Sequence, residues 1–173
     1  MTMQNHFALF NLPAEFALDT AQLDAAYREV QNKVHPDKFV SAPDAEKSVA
    51  MQWATRANEA YQILKSPFRR AAYLVELHGI DLQVESNTAM PRAFLMQQME
   101  WRELLDEARS QRDLSTLEKL ESELSAARKE QLSAIAQQLE EKHYAQAGEG
   151  VRQLMFLEKF ADEVSQAFEA LEA

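Results

Sequence analysis

The sequence places the tripeptide His35-Pro36-Asp37 between two stretches whose apolar residues recur at helical spacing. Proline lacks a backbone N–H and disfavours the α region for the residue before it, so a helix ends at this point. The first stretch covers 23–34, and the second begins near Pro43 and runs to about Leu64. A short connection between two helices favours an antiparallel hairpin, which would hold His35 and Asp37 on an exposed tip.

Apolar stripes predict the buried face of each helix in this hairpin. The first helix would bury Leu23, Tyr27, Val30 and Val34, and the second would bury Val49, Trp53, Ala57, Ala60, Tyr61 and Leu64. Before the hairpin, an aromatic patch that Pro13 closes indicates one or two helical turns docked on the same core. After it, Ser66-Pro67 predicts the N-cap and first turn of a shorter helix that ends at His78-Gly79.

The second half of the chain predicts a three-helix bundle. We interpret 79–90 as a linker and expect helices at about 91–109, 113–142 and 144–171. Their apolar stripes include Leu114, Leu117, Leu120, Leu124, Leu132 and Leu139, followed by Leu154, Leu157, Phe160, Val164 and Phe168. Gly148 and Gly150 are expected to delay or weaken the start of the last helix. The predicted fold is therefore all-α, with a helical hairpin domain at 1–78 and a bundle at 91–173.

Composition narrows the classes of function. The chain has 3 glycines, many strong helix formers and no cysteine, which excludes disulfides, thiolate metal sites and a cysteine nucleophile. Four scattered histidines predict no metal site, and we expect no cofactor; His6, His78 and His143 are interpreted as surface or capping residues. Neither a signal peptide nor an apolar span long enough for a membrane is visible, which is compatible with the cytoplasm.

Charge is distributed unevenly along the chain. The net charge is −10, and residues 79–173 carry 10 basic and 19 acidic residues, whereas 1–78 carry 8 and 9. This asymmetry predicts two modules with different partners. The acidic half argues against nucleic acid and anionic membranes as partners, although acidic residues also simply solubilise helix faces.

Residues 1–78 resemble a J-domain, the module that stimulates the ATPase of Hsp70 chaperones. The resemblance rests on the helical run 23–34, on His35-Pro36-Asp37-Lys38-Phe39, and on Asn58-Glu59-Ala60-Tyr61-Gln62-Ile63-Leu64, in that order. The resemblance is specific because several motifs occur in the order and at the spacing of the J-domain family. Three glycines and no cysteine exclude J-proteins with a Gly/Phe-rich region or a cysteine-rich zinc domain.

Further motifs resemble the HscB family, the J-type co-chaperones of bacterial iron–sulfur cluster assembly. They are Phe10-Asn11-Leu12-Pro13, Ser66-Pro67, Arg70-Ala71-Ala72-Tyr73-Leu74, Leu77-His78-Gly79, Ala93-Phe94-Leu95-Met96-Gln97-Gln98-Met99-Glu100 and Arg152-Gln153-Leu154-Met155-Phe156-Leu157. The resemblance covers nearly the whole chain. It implies two partners, an Hsp70-type ATPase similar to HscA and an iron–sulfur scaffold protein similar to IscU, and a chain that catalyses nothing itself.

The resemblance implies that His35, Pro36 and Asp37 contact the Hsp70 ATPase domain. Asp37 can pair with an arginine and His35 can donate a hydrogen bond, while the proline limits the ordering cost of binding. Arg28, Lys33 and Lys38 form a basic face that would steer an acidic partner; the alternative is a solvated helix face. Arg69 and Arg70 are expected to serve helix solubility or local pairing.

The resemblance also implies a scaffold-binding surface on the helix after Pro91, completed from the last helix. Its members are Leu95, Met96, Met99, Glu100, Glu103, Glu107 and Phe156. Apolar residues bordered by carboxylates suit a docking patch with a polar rim. The alternative is that Leu95, Met99 and Phe156 belong to the bundle core, for which Phe94, Leu105 and Leu157 are the better candidates.

Three other functions compete with this interpretation. A general folding co-chaperone would bind many apolar peptides instead of one folded scaffold. A structural helical adaptor would carry the tripeptide as a helix stop with a capping aspartate. A His35–Asp37 catalytic dyad is disfavoured because no nucleophile stands nearby in the sequence.

Overall fold

The computed structural model describes residues 5–83 and 90–173, and every regular element in that part of the chain is helical. The elements are α1 His6–Leu9, α2 Thr20–Val34, a 3₁₀ helix Pro36–Phe39, α3 Asp44–Lys65, α4 Pro67–Leu77, α5 Arg92–Gln111, α6 Leu114–Glu140 and α7 Tyr144–Glu172. They form two compact units, Met1–His78 and Gly79–Ala173. The all-α prediction is confirmed.

The first unit is built around the hairpin of α2 and α3. The Tyr27 and Tyr61 rings stack with centroids 4.2 Å apart, and each hydroxyl donates to the opposite helix, Tyr27 to Asn58 at 3.1 Å and Tyr61 to Asp24 at 2.6 Å. Below them, the core buries Phe7, Phe10, Leu23, Ala57, Ala60, Leu64, Leu74 and Val75. The stacked rings and the two hydrogen bonds hold α2 against α3 and so support the tip of the hairpin.

Side-chain caps define the helix boundaries of this unit. The Asp19 carboxylate accepts hydrogen bonds from the backbone N–H groups of Ala21 and Gln22, and the Ser66 hydroxyl accepts one from Arg69 at 3.2 Å. Gly79 follows the last helix at φ +88°, a conformation that glycine adopts without strain. Asp19 and Ser66 therefore start helices, and Gly79 ends one, at the positions that the sequence predicts.

One prediction about this unit is wrong, and a second, for Arg70, holds in only one of its two alternatives, local pairing. Val49 is half exposed because no element of the described chain packs over it. Arg70 is buried instead of solubilising α4: its guanidinium donates to the Leu64 carbonyl at 2.7 Å and lies 4.8 Å from the centre of the Phe16 ring. Burial lowers the pKa of Arg70 from its usual value. The residue therefore links α3, α4 and the segment before α2.

The second unit is the predicted three-helix bundle, and short connections make successive helices antiparallel. Trp101 of α5 stacks on Phe160 of α7 at 6.1 Å, and the Arg128 guanidinium makes two hydrogen bonds to the Glu158 carboxylate at 3.0 and 2.7 Å. Its core consists of Leu105, Leu117, Leu120, Leu124, Ile135, Leu139, Val151, Leu154, Leu157, Phe160 and Val164. Leu114, predicted in this stripe, is instead exposed at the first position of α6.

The two glycines of α7 act differently from the prediction. The helix already begins at Tyr144, and both glycines are buried within it. A Cβ at Gly148 would lie 2.7 Å from Ile80 Cγ2, and one at Gly150 would lie 2.9 Å from Ile135 Cγ1. Glycine is therefore present because neighbouring side chains approach the backbone closely.

Part of the predicted linker packs on the bundle. Ile80 lies against Gly148, Leu82 is buried, and the Arg152 guanidinium donates to the Asp81 carbonyl at 2.9 Å. The rest of that segment, 84–89, lies outside the described residues. Residues 80–82 therefore belong structurally to the second unit.

Candidate partner-binding sites

The hairpin tip is a short 3₁₀ helix with an exposed polar surface. His35 ends α2 and caps this helix: its ring Nδ1 accepts a hydrogen bond from the Asp37 backbone N–H at 3.2 Å. The Asp37 carboxylate lies 3.5 Å from the same nitrogen and is 87% exposed. When Nδ1 is the acceptor the ring proton is on Nε2, so the tip combines one N–H donor with one carboxylate acceptor.

The predicted basic face lies beside this tip. Arg28, Lys33 and Lys38 are all exposed, the first two on α2 and the third in the 3₁₀ helix. Glu29 partly neutralises Lys33, since its carboxylate lies 3.4 Å from the ammonium group. Arg28 contacts only its own helix among the bonds described, donating to the Asp24 carbonyl at 3.4 Å. The face is therefore a modest positive surface suited to long-range attraction.

An apolar groove next to the tip was not predicted. It has a volume of 340 Å³ and is lined by Val34, Phe39, Ala45, Glu46, Val49, Ala50 and Trp53. The predicted buried stripe of α3 contained the signal, because Val49 and Trp53 lie on it. The sequence also predicts the end of α2 at Val34; what it does not show is that no other element of the described chain covers this part of α3.

On the second unit, the predicted scaffold-binding residues lie on the outer face of α5. This helix buries Trp101, Leu105 and Ala108 toward the bundle. Leu95, Met96 and Met99 are 47%, 52% and 65% exposed, and Glu100, Glu103 and Glu107 are exposed as well. Leu95 and Met99 are therefore not core residues, whereas Leu105 is buried as expected and Phe94 is half-buried.

Phe156 contributes to the same end of the bundle from α7. Because α5 and α7 run parallel and Trp101 is level with Phe160, residues one turn before Trp101 are level with those one turn before Phe160. Phe156 is 53% exposed and also lies outside the core, while its neighbour Leu157 is buried. Met155 is also exposed on α7, but it lies about 100° around the helix from Phe156 and one turn before Glu158, which pairs with Arg128 of α6. We call Leu95, Met96, Met99 and Phe156 the apolar patch.

The remaining titratable groups do not form a metal site in the described part of the chain. His78 caps α4 by bonding the Leu74 carbonyl at 2.9 Å, and His143 lies 3.3 Å from Glu141. His6 differs from its prediction, because its ring is half-buried and stacks on Tyr73 at 4.4 Å. This burial lowers the pKa of His6. Within the same described ranges, no helix is both long enough and apolar enough to cross a membrane.

Comparisons with known proteins place these two units in one family. Residues 90–165 match the model of the HSCB C-terminal oligomerisation domain. The chain is 53% identical over 168 residues to a co-chaperone protein HscB homologue from Burkholderia multivorans, covering 97% of this chain and 96% of that protein.

Solved structures have the same architecture. Chaperone HscB from Vibrio cholerae superposes with a TM-score of 0.84 at 34% identity, over 97% of this chain and 99% of that one. Human co-chaperone protein HscB gives a TM-score of 0.88 at 28% identity, over 96% and 83%. Because the superpositions cover nearly the whole chain, they include both the J-domain hairpin and the bundle. The chain belongs to the HscB family of co-chaperones.

Proposed function

We propose that this co-chaperone stimulates the ATPase of a specialised Hsp70 similar to HscA and delivers to it an iron–sulfur scaffold protein similar to IscU, for cluster transfer and maturation of iron–sulfur proteins. The observation that carries the proposal is the presence of two exposed surfaces of different chemistry on separate units. One is the polar tip with its basic face, and the other is the apolar patch with its carboxylates.

The tip is assigned to the ATPase. The Asp37 carboxylate is free to form a charge-assisted bond with a partner arginine, and His35 Nε2–H supplies a second donor. Pro36 begins a 3₁₀ helix whose first turn is already closed by the His35 ring, so little backbone entropy is lost on binding. Arg28, Lys33 and Lys38 would raise the association rate with an acidic partner surface.

The outer face of the bundle is assigned to the scaffold. Half-exposed leucine, methionine and phenylalanine side chains gain free energy when a partner covers them. Glu100, Glu103 and Glu107 border them and favour a partner with basic residues at the matching positions. Residues 1–78 would thus bind the chaperone and 91–173 the cargo, with 79–90 joining them. Because both sites lie on one chain, the effective concentration of the scaffold near the chaperone rises without any additional contact.

The chain itself is proposed to act by binding and not as an enzyme, so the bond-breaking step belongs to the partner ATPase. An ATP-driven partner requires a compartment that holds ATP, and the relative that is 53% identical is bacterial. We therefore assign the activity to the bacterial cytoplasm.

Measured ATP turnover tests this proposal. The purified chain should accelerate ATP hydrolysis by an HscA-type Hsp70, and an IscU-type scaffold should increase that acceleration further. An unfolded client protein or an apolar peptide should not replace the scaffold. If client and scaffold act equally well, the chain is a general folding co-chaperone, and no acceleration under any condition would overturn the assignment of the tip.

A further inference from the structure

The methionines in the described part of the chain lie outside its hydrophobic core. Met51, Met90, Met96, Met99 and Met155 lie in the described residues, and none of them is among the buried core side chains. Methionine normally fills gaps in a hydrophobic core. Here Met96 and Met99 are more than half exposed on α5. Two of the five therefore lie in the apolar patch.

Exposure makes these thioethers accessible to hydroperoxides. The chain has no cysteine, so methionine supplies all of its sulfur. A methionine sulfur attacks one oxygen of hydrogen peroxide, so that the S–O bond forms as the O–O bond breaks and hydroxide departs. The hydroxide takes the proton of the new S–OH group and leaves as water. The sulfur loses two electrons, the peroxide gains them, and the product is methionine sulfoxide.

We propose that Met96 and Met99 form a peroxide-sensitive modification site, and that their conversion to sulfoxides releases the scaffold. The inference rests on the proposed scaffold-binding function of this surface. A sulfoxide turns an apolar contact into a strong hydrogen-bond acceptor that must lose its water when the partner covers it.

The surroundings supply limited compensation for that acceptor. Glu100 and Glu103, which neighbour Met96 and Met99 on the helix surface, carry carboxylates that accept hydrogen bonds but do not donate them. The Arg102 guanidinium is already bound to Glu163 at 3.2 Å and lies over the Phe160 ring at 5.6 Å. Arg92, one turn before Met96, is exposed and must itself lose water to donate to a covered sulfoxide. Oxidation of the two methionines should therefore weaken scaffold binding by about tenfold or more. Methionine sulfoxide reductases would reverse the change.

The experiment combines peroxide treatment with a peptide map. The full chain is treated with graded hydrogen peroxide, the sulfoxide at each methionine is quantified by mass spectrometry, and binding of an IscU-type scaffold is measured by calorimetry. Met96→Leu with Met99→Leu keeps the patch apolar while removing its sulfur. Met51→Leu is the matched control, because Met51 is 70% exposed but lies on α3 in the first unit.

We expect oxidised wild-type protein and oxidised Met51→Leu protein to lose scaffold affinity in parallel. The double leucine variant should have the same scaffold affinity after peroxide treatment as it has before treatment. Methionine sulfoxide reductase should restore the oxidised wild-type protein. Unchanged scaffold affinity when both sites are fully oxidised would overturn this inference alone. Failure of untreated protein to bind scaffold at all would overturn the proposed function together with it.

Discussion

The His35 ring nitrogen Nδ1 accepts the backbone N–H of Asp37 at 3.2 Å, which closes the first turn of the 3₁₀ helix at the hairpin tip. The His35 side chain thus fixes the backbone conformation of the tip and, with it, the position of the Asp37 carboxylate. The bond also places the His35 proton on Nε2. The histidine is therefore needed for the shape of the tip as well as for its own contact.

Substitution His35→Gln should abolish stimulation of ATP turnover while scaffold binding stays unchanged. Glutamine lacks the rigid ring that presents both an acceptor to Asp37 and a donor to the partner. Steady-state ATPase assays and scaffold calorimetry measure the two effects separately. His143→Gln is the control, since His143 is also exposed and also near a carboxylate, Glu141, but lies in the bundle. Full stimulation by the His35 variant would remove this residue from the mechanism.

Charge reversal on the basic face should slow association with the Hsp70 partner. Arg28→Glu with Lys38→Glu is expected to lower the association rate constant by about tenfold at low salt, because exposed charges act mainly through steering. Lys33 is left unchanged because Glu29 already partly neutralises it, with its carboxylate 3.4 Å from the ammonium group. Stopped-flow kinetics at several salt concentrations measure the effect. Lys119→Glu with Lys129→Glu, two exposed positions on α6, makes the same change of charge outside the face and should leave the rate unchanged. A rate independent of salt in all variants would contradict steering.

Truncation of the apolar patch should weaken scaffold binding without unfolding the bundle. Leu95→Ala with Met99→Ala and Phe156→Ala removes half-exposed side chains, each worth about 0.5 kcal/mol or less to stability. Binding should weaken by at least about tenfold, as expected when central interface anchors are lost. Calorimetry and helical circular dichroism report on the two properties.

Leu114→Ala is the matched control for this variant, since Leu114 is 46% exposed at the start of α6 and outside the patch. Its scaffold affinity should equal that of wild type. Loss of helical signal in the triple variant would mean that the three residues support the bundle itself.

Arg70 and Arg69 should differ sharply in their contribution to stability. Arg70→Ala removes a buried hydrogen bond to the Leu64 carbonyl and the contact with Phe16, and should lower the free energy of unfolding by about 3 kcal/mol. Arg69→Ala deletes an exposed guanidinium and should cost about 0.5 kcal/mol or less. Urea unfolding followed by circular dichroism compares them, and equal midpoints would refute a structural role for Arg70.

The pKa of His6 predicts a pH dependence of stability. Burial against Tyr73 lowers this pKa, so the folded chain binds fewer protons than the unfolded chain, whose His6 titrates near 6.5. Stability should therefore decline as the pH falls below about 6.5. Arg56 adds to the lowering and Glu59 opposes it.

His6→Phe keeps the ring stacked on Tyr73 but removes the titration. The difference in unfolding free energy between wild type and this variant should shift in favour of the variant as the pH falls from 7.5 to about 5. Urea midpoints across that range measure it. A difference that stays constant with pH would show that His6 titrates alike in both states.

Local sequence patterns were sufficient for the helices. Asp19, Ser66 and Gly79 end or start them by interactions within four residues, which a sequence displays directly. The candidate sites were predicted through family resemblance, and the structure shows every proposed member exposed. The burial of Arg70 and the exposure of Val49 were not predicted because burial depends on elements far away in sequence: Phe16 reaches Arg70, whereas nothing in the described chain covers Val49.

The sequence by itself determined the helical class, the turn at Pro36 and the separation of charge between the two halves, because periodicity, backbone chemistry and composition are local properties. Tertiary structure alone decided which members of a predicted apolar stripe remain outside the core. Leu114 and Leu117 are chemically identical and belong to one predicted stripe, yet the first is 46% exposed and the second 0%. Only the packing of α6 against α5 and α7 distinguishes them, since burial is a property of the neighbours and not of the residue.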